Sequence, residues 1–283
     1  MTAKIISGKD LATKIKADLK DEVRELIESG IRPKLVVILV GDDPASHTYV
    51  RGKERASEEV GIESEVIRHD ATITQEELLT EIARLNADSS VNGLLVQLPL
   101  PKHINEKAII NAIDPIKDVD GFHPINVGKM MIGDEGYLPC TPYGIIELIK
   151  ETGIEIRGKN AVVIGRSNIV GKPVSILLLR EDATVTVAHS RTRDLKEITK
   201  RAEILICAIG RAEMITGDYI GEGAVVIDVG TNRNAEGKYV GDCDFETVSK
   251  VAGFITPVPG GVGPMTITML MKNTIAAAKR MKN

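Results

Sequence analysis

Aromatic side chains are scarce in this chain: three Phe, five Tyr and no Trp in 283 residues. Charge is equally unbiased, with a formal net of −4 and no block of like-signed residues. The sequence therefore lacks the basic, aromatic-bearing footprint that nucleic acid requires, and no nucleic-acid partner is expected. No apolar stretch approaches the roughly 18 uninterrupted residues of a membrane span, and the N-terminus carries no long apolar run. The chain reads as soluble and unexported, with no membrane partner. Cys140, Cys207 and Cys243 are odd in number and widely spaced, which fits reduced thiols packed in a cytoplasmic protein better than a disulfide framework. His47, His69, His103, His123 and His189 are scattered, none at helical ligand spacing, so no metal is expected.

What is present is 43% apolar residues, enough for a substantial core, in a length that suits about two ordinary domains. Short apolar runs at 34–40, 63–68 and 93–98 alternate with longer amphipathic ones and read as buried parallel strands. Between them, Leu11, Ile15, Leu19, Val23 and Leu26 fall at helical spacing, and Thr74 with Glu77 forms a capping box that opens a second helix. Strand-helix-strand order implies crossover units. A second series begins near Asn160, where AVVIG, TVTVAHS, ILICAIG and AVVIDVG each run into a turn-prone residue. The segment 121–152 is rich in turn formers and predicts the boundary, with a helix over 143–152. The expected fold is α/β in two domains with a cleft between them. An N-terminal parallel-sheet domain covers 1–140 and is completed by a C-terminal helix at 265–283; a Rossmann-type doubly wound domain covers 141–264.

The strand at 161–164 leads into GRSNIVGKP and then an apolar helix. That order suits phosphate binding, because a helix N-terminus offers unpaired N–H groups and a partial positive charge, while Gly165 and Gly171 let the backbone turn and pack closely. The next strand ends in His189-Ser190-Arg191, where an NAD-specific site presents an acid to the ribose hydroxyls. Hydroxyl and guanidinium at Arg166, Ser190 and Arg191 favour NADP over NAD; the alternative is a solvated basic loop.

Tyr49 and Lys53 stand four apart and share a helix face. A lysine beside apolar surface can act as acid or base near neutral pH, and tyrosine offers a stacking face, although most such pairs are ordinary helix surface. Val96-Gln97-Leu98 places an amide at a strand's C-terminal end, and Lys117-Asp118-Val119-Asp120-Gly121 places carboxylates in a turn, the region where open α/β sheets bind ligands. Residues 256–268, TPVPGGVGPMTIT, pack three glycines and three prolines into a rigid, side-chain-poor turn, against which something flat can pack; the alternative is a tight interdomain linker.

HTYVRGK, VQLPLP, KDVDGFHPINVG, PCTPYGIIELI, GRSNIVGKP and PVPGGVGPMT, in this order, resemble the bifunctional methylenetetrahydrofolate dehydrogenase/methenyltetrahydrofolate cyclohydrolase family over nearly the whole chain. The resemblance implies NADP-linked oxidation of methylenetetrahydrofolate, hydrolysis of the methenyl product to 10-formyltetrahydrofolate in one shared site, and a homodimer. By the matched motifs, Lys53 would serve the cyclohydrolase step with Gln97 tuning its protonation, Tyr49 would stack on the folate, and Asp120 would anchor the pterin. Val96, Leu98, Gly261, Val262, Gly263 and Pro264 would line the substrate site, and Gly165, Arg166, Ser167, Ser190 and Thr231 would contact NADP. A non-catalytic NADP-binding sensor, a two-domain NADP-binding protein retaining only one of the two activities, and a hydroxy-acid dehydrogenase are the rival readings; the last would need a histidine or acid near the nicotinamide.

Overall fold

The computed structural model describes residues 2–281; the last two residues of the expected terminal helix lie outside that range. β1 (Lys4–Ile5) leads into α1 (Gly8–Glu28), and Leu11, Leu19, Val23 and Leu26 are buried, as an amphipathic helix requires. Then come β2 (Lys34–Val40), α2 (Pro44–Val60), β3 (Glu63–His69), α3 (Gln75–Ala87) and β4 (Gly93–Val96). These strands form a parallel sheet in the order β3-β2-β4. Central β2 reads KLVVILV and is buried from Leu35 to Val40, the continuous apolar run of a strand covered on both faces. β3 departs from the expectation of three buried strands: it sits at the edge and alternates exposed with half-buried residues, its glutamates and Arg68 serving an edge that must stay unpaired. β4 stops at Val96, so Gln97 and Leu98 lie beyond the strand.

Local chemistry sets the helix starts. The Asp43 carboxylate accepts a hydrogen bond from Ser46 N at 2.7 Å, with Pro44 opening α2. Thr74 and Glu77 form the reciprocal box, Glu77 N donating to Thr74 Oγ1 (3.2 Å) and Thr74 N to Glu77 Oε2 (2.9 Å). After α4 (Glu106–Ala112), the supposed turn-rich boundary contains α5 (Pro124–Ile132) and the start of α6 (Cys140–Glu151). His123 Nδ1 accepts from Ile125 N at 3.1 Å, Pro124 opens α5 and Gly133 ends it in a left-handed conformation. The proline and glycine that suggested a loop are a helix's punctuation.

The remaining elements are β5 (Asn160–Ile164), α7 (Gly171–Arg180), β6 (Thr184–Ala188), α8 (Leu195–Thr199), β7 (Ile204–Cys207), β8 (Val225–Asp228), β9 (Asn232–Arg233), β10 (Tyr239–Val240), α9 (Phe245–Val248), β11 (Phe254–Ile255) and α10 (Val262–Arg280). Six strands pair in parallel in the order β1-β11-β8-β7-β5-β6 over a core that includes Val162, Leu205, Cys207, Val226, Cys243 and Ile255. β9 and β10 form a separate antiparallel pair.

The chain divides into two compact units, one formed by residues up to Thr13 with Thr141–Thr266, the other by Lys14–Cys140 with the chain from Ile267. The expected 1–140 division differs at its start, because Lys4 and Ile5 pair with Phe254 and Ile255 and add a strand to the six-stranded sheet. Two residues are too short a run for periodicity to reveal. The three changes of unit fall within α1, α6 and α10 rather than in loops.

Candidate active site and dinucleotide turn

In the three-stranded unit, Gln97 continues the β2 ladder one residue past β4, its N–H donating to Ile38 O at 2.8 Å. Its side-chain Nε2 donates to Leu98 O at 2.7 Å, which leaves Oε1 to accept from Lys53 Nζ at 3.0 Å. The amide's orientation is therefore fixed by its own donor half. Lys53 lies on α2 and is only 6% exposed; among the described residues it forms no ion pair. A buried ammonium is thus met by an amide dipole instead of a carboxylate. Tyr49, one turn earlier on α2, is half-buried.

The carboxylates of the 117–121 turn have separate environments. Asp118 is 2% exposed and accepts from Phe122 N (3.2 Å), His123 N (2.8 Å) and Asn126 Nδ2 (2.8 Å). Burial pushes its carboxyl up to about 7, against the opposing pull of the Asn126 and main-chain donors. Asp118 therefore shapes the turn, and Asp120, two residues on, is half-buried. Val96, Leu98, Asp118, Asp120 and Phe122 line one small cavity.

Two residues that sequence reasoning did not use hold this turn. Asn273 Nδ2 on α10 donates to Val119 O (2.8 Å) and Leu138 O (2.9 Å), and the Cys140 thiol donates to Val119 O (3.3 Å). An asparagine inside the apolar run MLMKNTIAAA was the available signal. Burial pushes the Cys140 thiol up, with the Asp120 charge adding and the Lys53 charge opposing. Both Asp120 and Lys53 are thus near enough to act on Cys140, whose sulfur is held as a thiol, not as a nucleophilic thiolate.

In the six-stranded unit, Gly165 follows β5 and donates its N–H to Ala188 O at 2.9 Å. Its φ is +131°, and a Cβ there would stand 2.2 Å from Ala208 O, so only glycine fits. Ser167 Oγ accepts from Val170 N (3.1 Å) and Gly171 N (3.3 Å) and so caps the start of α7. Among the described residues, nothing accepts the main-chain N–H groups of 166–169. Unpaired donors in the loop that leads into the ten-residue helix α7, beside a position without a side chain, fit a pyrophosphate. Ile164 and Ala188 are in register, so Arg166 and Ser190 each lie two residues past paired strand ends. Arg166, Ser190 and Arg191 are exposed, and no carboxylate occurs in 189–193. The residues present suit a ribose phosphate. Thr231 is exposed just past β8.

Residues 256–268 run from β11 into α10, with a cis Val258-Pro259 bond. Part of this bare backbone is covered by the chain itself. Lys9 N donates to Gly260 O at 3.0 Å, and a Cβ on Gly8 would come within 1.8 Å of Gly261 O. Gly261 and Val262 are buried, while Gly263 and Pro264 are half-buried. The thiols of Cys140, Cys207 and Cys243 are free and buried. Among the described residues, no three His, Cys, Asp or Glu side chains converge as a metal site, and no helix is long and apolar enough to cross a membrane.

Comparison with known proteins finds two family matches: residues 6–120 with the tetrahydrofolate dehydrogenase/cyclohydrolase catalytic domain, and residues 139–282 with the NAD(P)-binding domain of the same family. A Bacillus cereus protein, "Bifunctional protein FolD", is 64% identical over 99% of this chain and 98% of its own length. The crystal structure of the bifunctional methylenetetrahydrofolate dehydrogenase/cyclohydrolase FolD from Campylobacter jejuni is 52% identical, with a TM-score of 0.96 over 98% of this chain and 99% of that one. The Trypanosoma brucei methylenetetrahydrofolate dehydrogenase-cyclohydrolase, complexed with NADP cofactor and inhibitor, is 41% identical, with a TM-score of 0.95 over 99% of this chain and 98% of that one.

Proposed function

This chain belongs to the tetrahydrofolate dehydrogenase/cyclohydrolase family, and from that premise we propose that it catalyses two successive reactions on a folate-borne one-carbon unit. The first is NADP-dependent oxidation of methylenetetrahydrofolate to the methenyl form; the second is hydrolysis of the methenyl form to 10-formyltetrahydrofolate. The observation that carries the second step is the buried Lys53 Nζ held 3.0 Å from Gln97 Oε1.

NADP supplies the hydride acceptor, held at the Gly165–Ser167 turn with Arg166 and Ser190 on the ribose phosphate and Thr231 beyond β8. The protein's contribution to oxidation is positioning, because hydride transfer requires the reacting atoms at near-attack distance. In hydrolysis, water adds to the methenyl carbon and loses a proton, and the ring C–N bond opens as its nitrogen gains one. Lys53 relays these protons, Gln97 fixing the ammonium without neutralising it as a carboxylate would. Asp120 accepts hydrogen bonds from the pterin's amino group, Tyr49 stacks on the ring, and Val96, Leu98 and residues 261–264 line the folate site.

The test mixes protein, methylenetetrahydrofolate and NADP and follows reduced nicotinamide and methenyl absorbance separately. Reduced nicotinamide should accumulate without a lasting methenyl signal. Absence of both would leave only a nucleotide-binding protein. A cytoplasmic homodimer is part of the same proposal. Three free thiols support the compartment, and the exposed edge strand β6, with Thr184, Thr186 and Val187 open, supports pairing with a second copy. Sedimentation of Val187→Pro against the unmodified protein tests it, since the N–H there faces away from β5 and a proline in its place should yield monomer.

A further inference from the structure

At the C-terminal ends of β7 and β8, two loops are tied to one buried carboxylate. Asp242 is fully buried, and both of its oxygens act only as acceptors. Oδ2 receives Ile209 N (2.7 Å) and Gly210 N (3.2 Å); Oδ1 receives Arg211 N (2.9 Å) and Asn232 Nδ2 (2.9 Å). Three consecutive main-chain donors after β7 and the residue next to Thr231 after β8 thus converge on one side chain. Asp228, 4% exposed at the end of β8, holds Asp242 in turn. Its Oδ1 accepts from Asp242 N (2.8 Å) and Gly230 N (2.9 Å), and its Oδ2 from Cys243 N (2.9 Å).

The sheet order says what these loops are for. β5, which carries the phosphate turn, lies between β6 on one side and β7 then β8 on the other. With the pyrophosphate at Gly165 and the phosphorylated ribose at Ser190 beyond β6, the rest of the dinucleotide must extend the other way, over the ends of β7 and β8. The β7 loop also abuts the phosphate turn, since Ala208 O is the atom that excludes a side chain at Gly165.

We propose that Asp242 is a positioning residue for the nicotinamide half of NADP, setting residues 208–211 and 229–232 as one preformed surface. This rests on the dinucleotide reading of the Gly165 turn given above. Asp242→Asn is a sharp perturbation, because either amide orientation turns an –NH2 toward two donors. If it faces outward at Oδ2, it meets Ile209 and Gly210 N–H; at Oδ1, it meets Arg211 N–H and Asn232 Nδ2.

The experiment is calorimetric titration of the full chain, unmodified and Asp242→Asn, with NADP and with the fragment 2′,5′-ADP, which lacks the nicotinamide half. The Kd for NADP should rise roughly tenfold or more while that for 2′,5′-ADP stays within about twofold. A general loosening of the unit would raise both constants together and overturn the proposal, as would no change in either. Should Asp242→Asn fail to fold, Asn232→Ala, which removes one donor and no main-chain contact, should raise only the NADP constant, by about threefold; an equal effect on both ligands, or none, refutes the assignment. An unmodified protein that binds neither ligand would overturn the dinucleotide reading itself and this inference with it, an outcome distinct from the others.

Discussion

Replacing Lys53 by Met separates the two activities. Methionine is unbranched and nearly as long, so it fills the slot on α2 that the 6%-exposed lysine occupies and leaves no cavity. Two effects on stability oppose each other: Gln97 Oε1 loses its donor, at about 1–3 kcal/mol, while removing a buried charge that lacks a carboxylate partner is neutral or favourable. The variant should therefore fold, with a melting temperature close to the original. Catalysis should not survive as well. A positioned acid-base group contributes about 10²–10⁴-fold, or roughly 3–5 kcal/mol of barrier. Methenyltetrahydrofolate decay without nucleotide should slow by that factor, and methenyl should accumulate when the variant oxidises methylenetetrahydrofolate with NADP. Equal loss of both activities in a variant of unchanged stability would refute the role given to Lys53. So would undiminished hydrolysis.

Arg166→Ala should raise the Kd for NADP roughly tenfold and leave that for NAD nearly unchanged, since a charge-assisted bond to the ribose phosphate is all that it removes; an unchanged ratio of the two constants, measured by titration, contradicts the phosphate contact. Gly165→Ala combines a φ of +131° with a carbonyl oxygen 2.2 Å from the new Cβ, so denaturant unfolding should register a loss of about 3 kcal/mol, and an unshifted midpoint would mean that this turn is not constrained as described. Burial holds Asp118 up to about 7 and Asp228 up to about 6, both above the ordinary carboxylate value of 3.8. The folded chain therefore binds these protons more tightly than the unfolded chain, and stability should rise as pH falls from about 7 toward 5, a rise that Asp118→Asn flattens. Denaturant midpoints at the two pH values decide it, and a fall on acidification argues the opposite.

Much of the fold was legible because its signals are local. The four strands of the second series end in turn-prone residues and form β5 to β8 as read, and the Thr74–Glu77 box closes as its spacing requires. What stayed hidden depends on distant partners. β1 and β11 are two residues each and exist only through pairing with one another and with β8. α5 was masked by the proline and glycine that cap it. β3 has the composition of a strand, but its exposure follows from its edge position, which no single run of sequence specifies. At the candidate site, the Lys53–Gln97 contact bridges 44 positions and was expected from the chemistry of the two motifs, not from any local spacing, whereas the anchoring of Val119 by Asn273 across 154 positions was not readable at all.

The distribution of carboxylates explains why the reactive groups could be singled out despite this. Asp118, Asp228 and Asp242 are buried and saturated with N–H donors, ten in all, most of them main-chain. A carboxylate so engaged sets backbone geometry and has little capacity left for a ligand. Among the described residues, no main-chain N–H is donated to Asp120, and no carboxylate is paired with Lys53. The chain thus separates carboxylates that hold shape from the Asp120 and Lys53 charges, to which the proposed function gives the substrate. A carboxylate in place of Gln97 would cross that division: it would bind Lys53 as an ion pair, favour the ammonium over the amine and withdraw it from proton transfer. An amide at position 97 gives the same reach and the same acceptor atom without that electrostatic hold, which suits the proton relay proposed for Lys53.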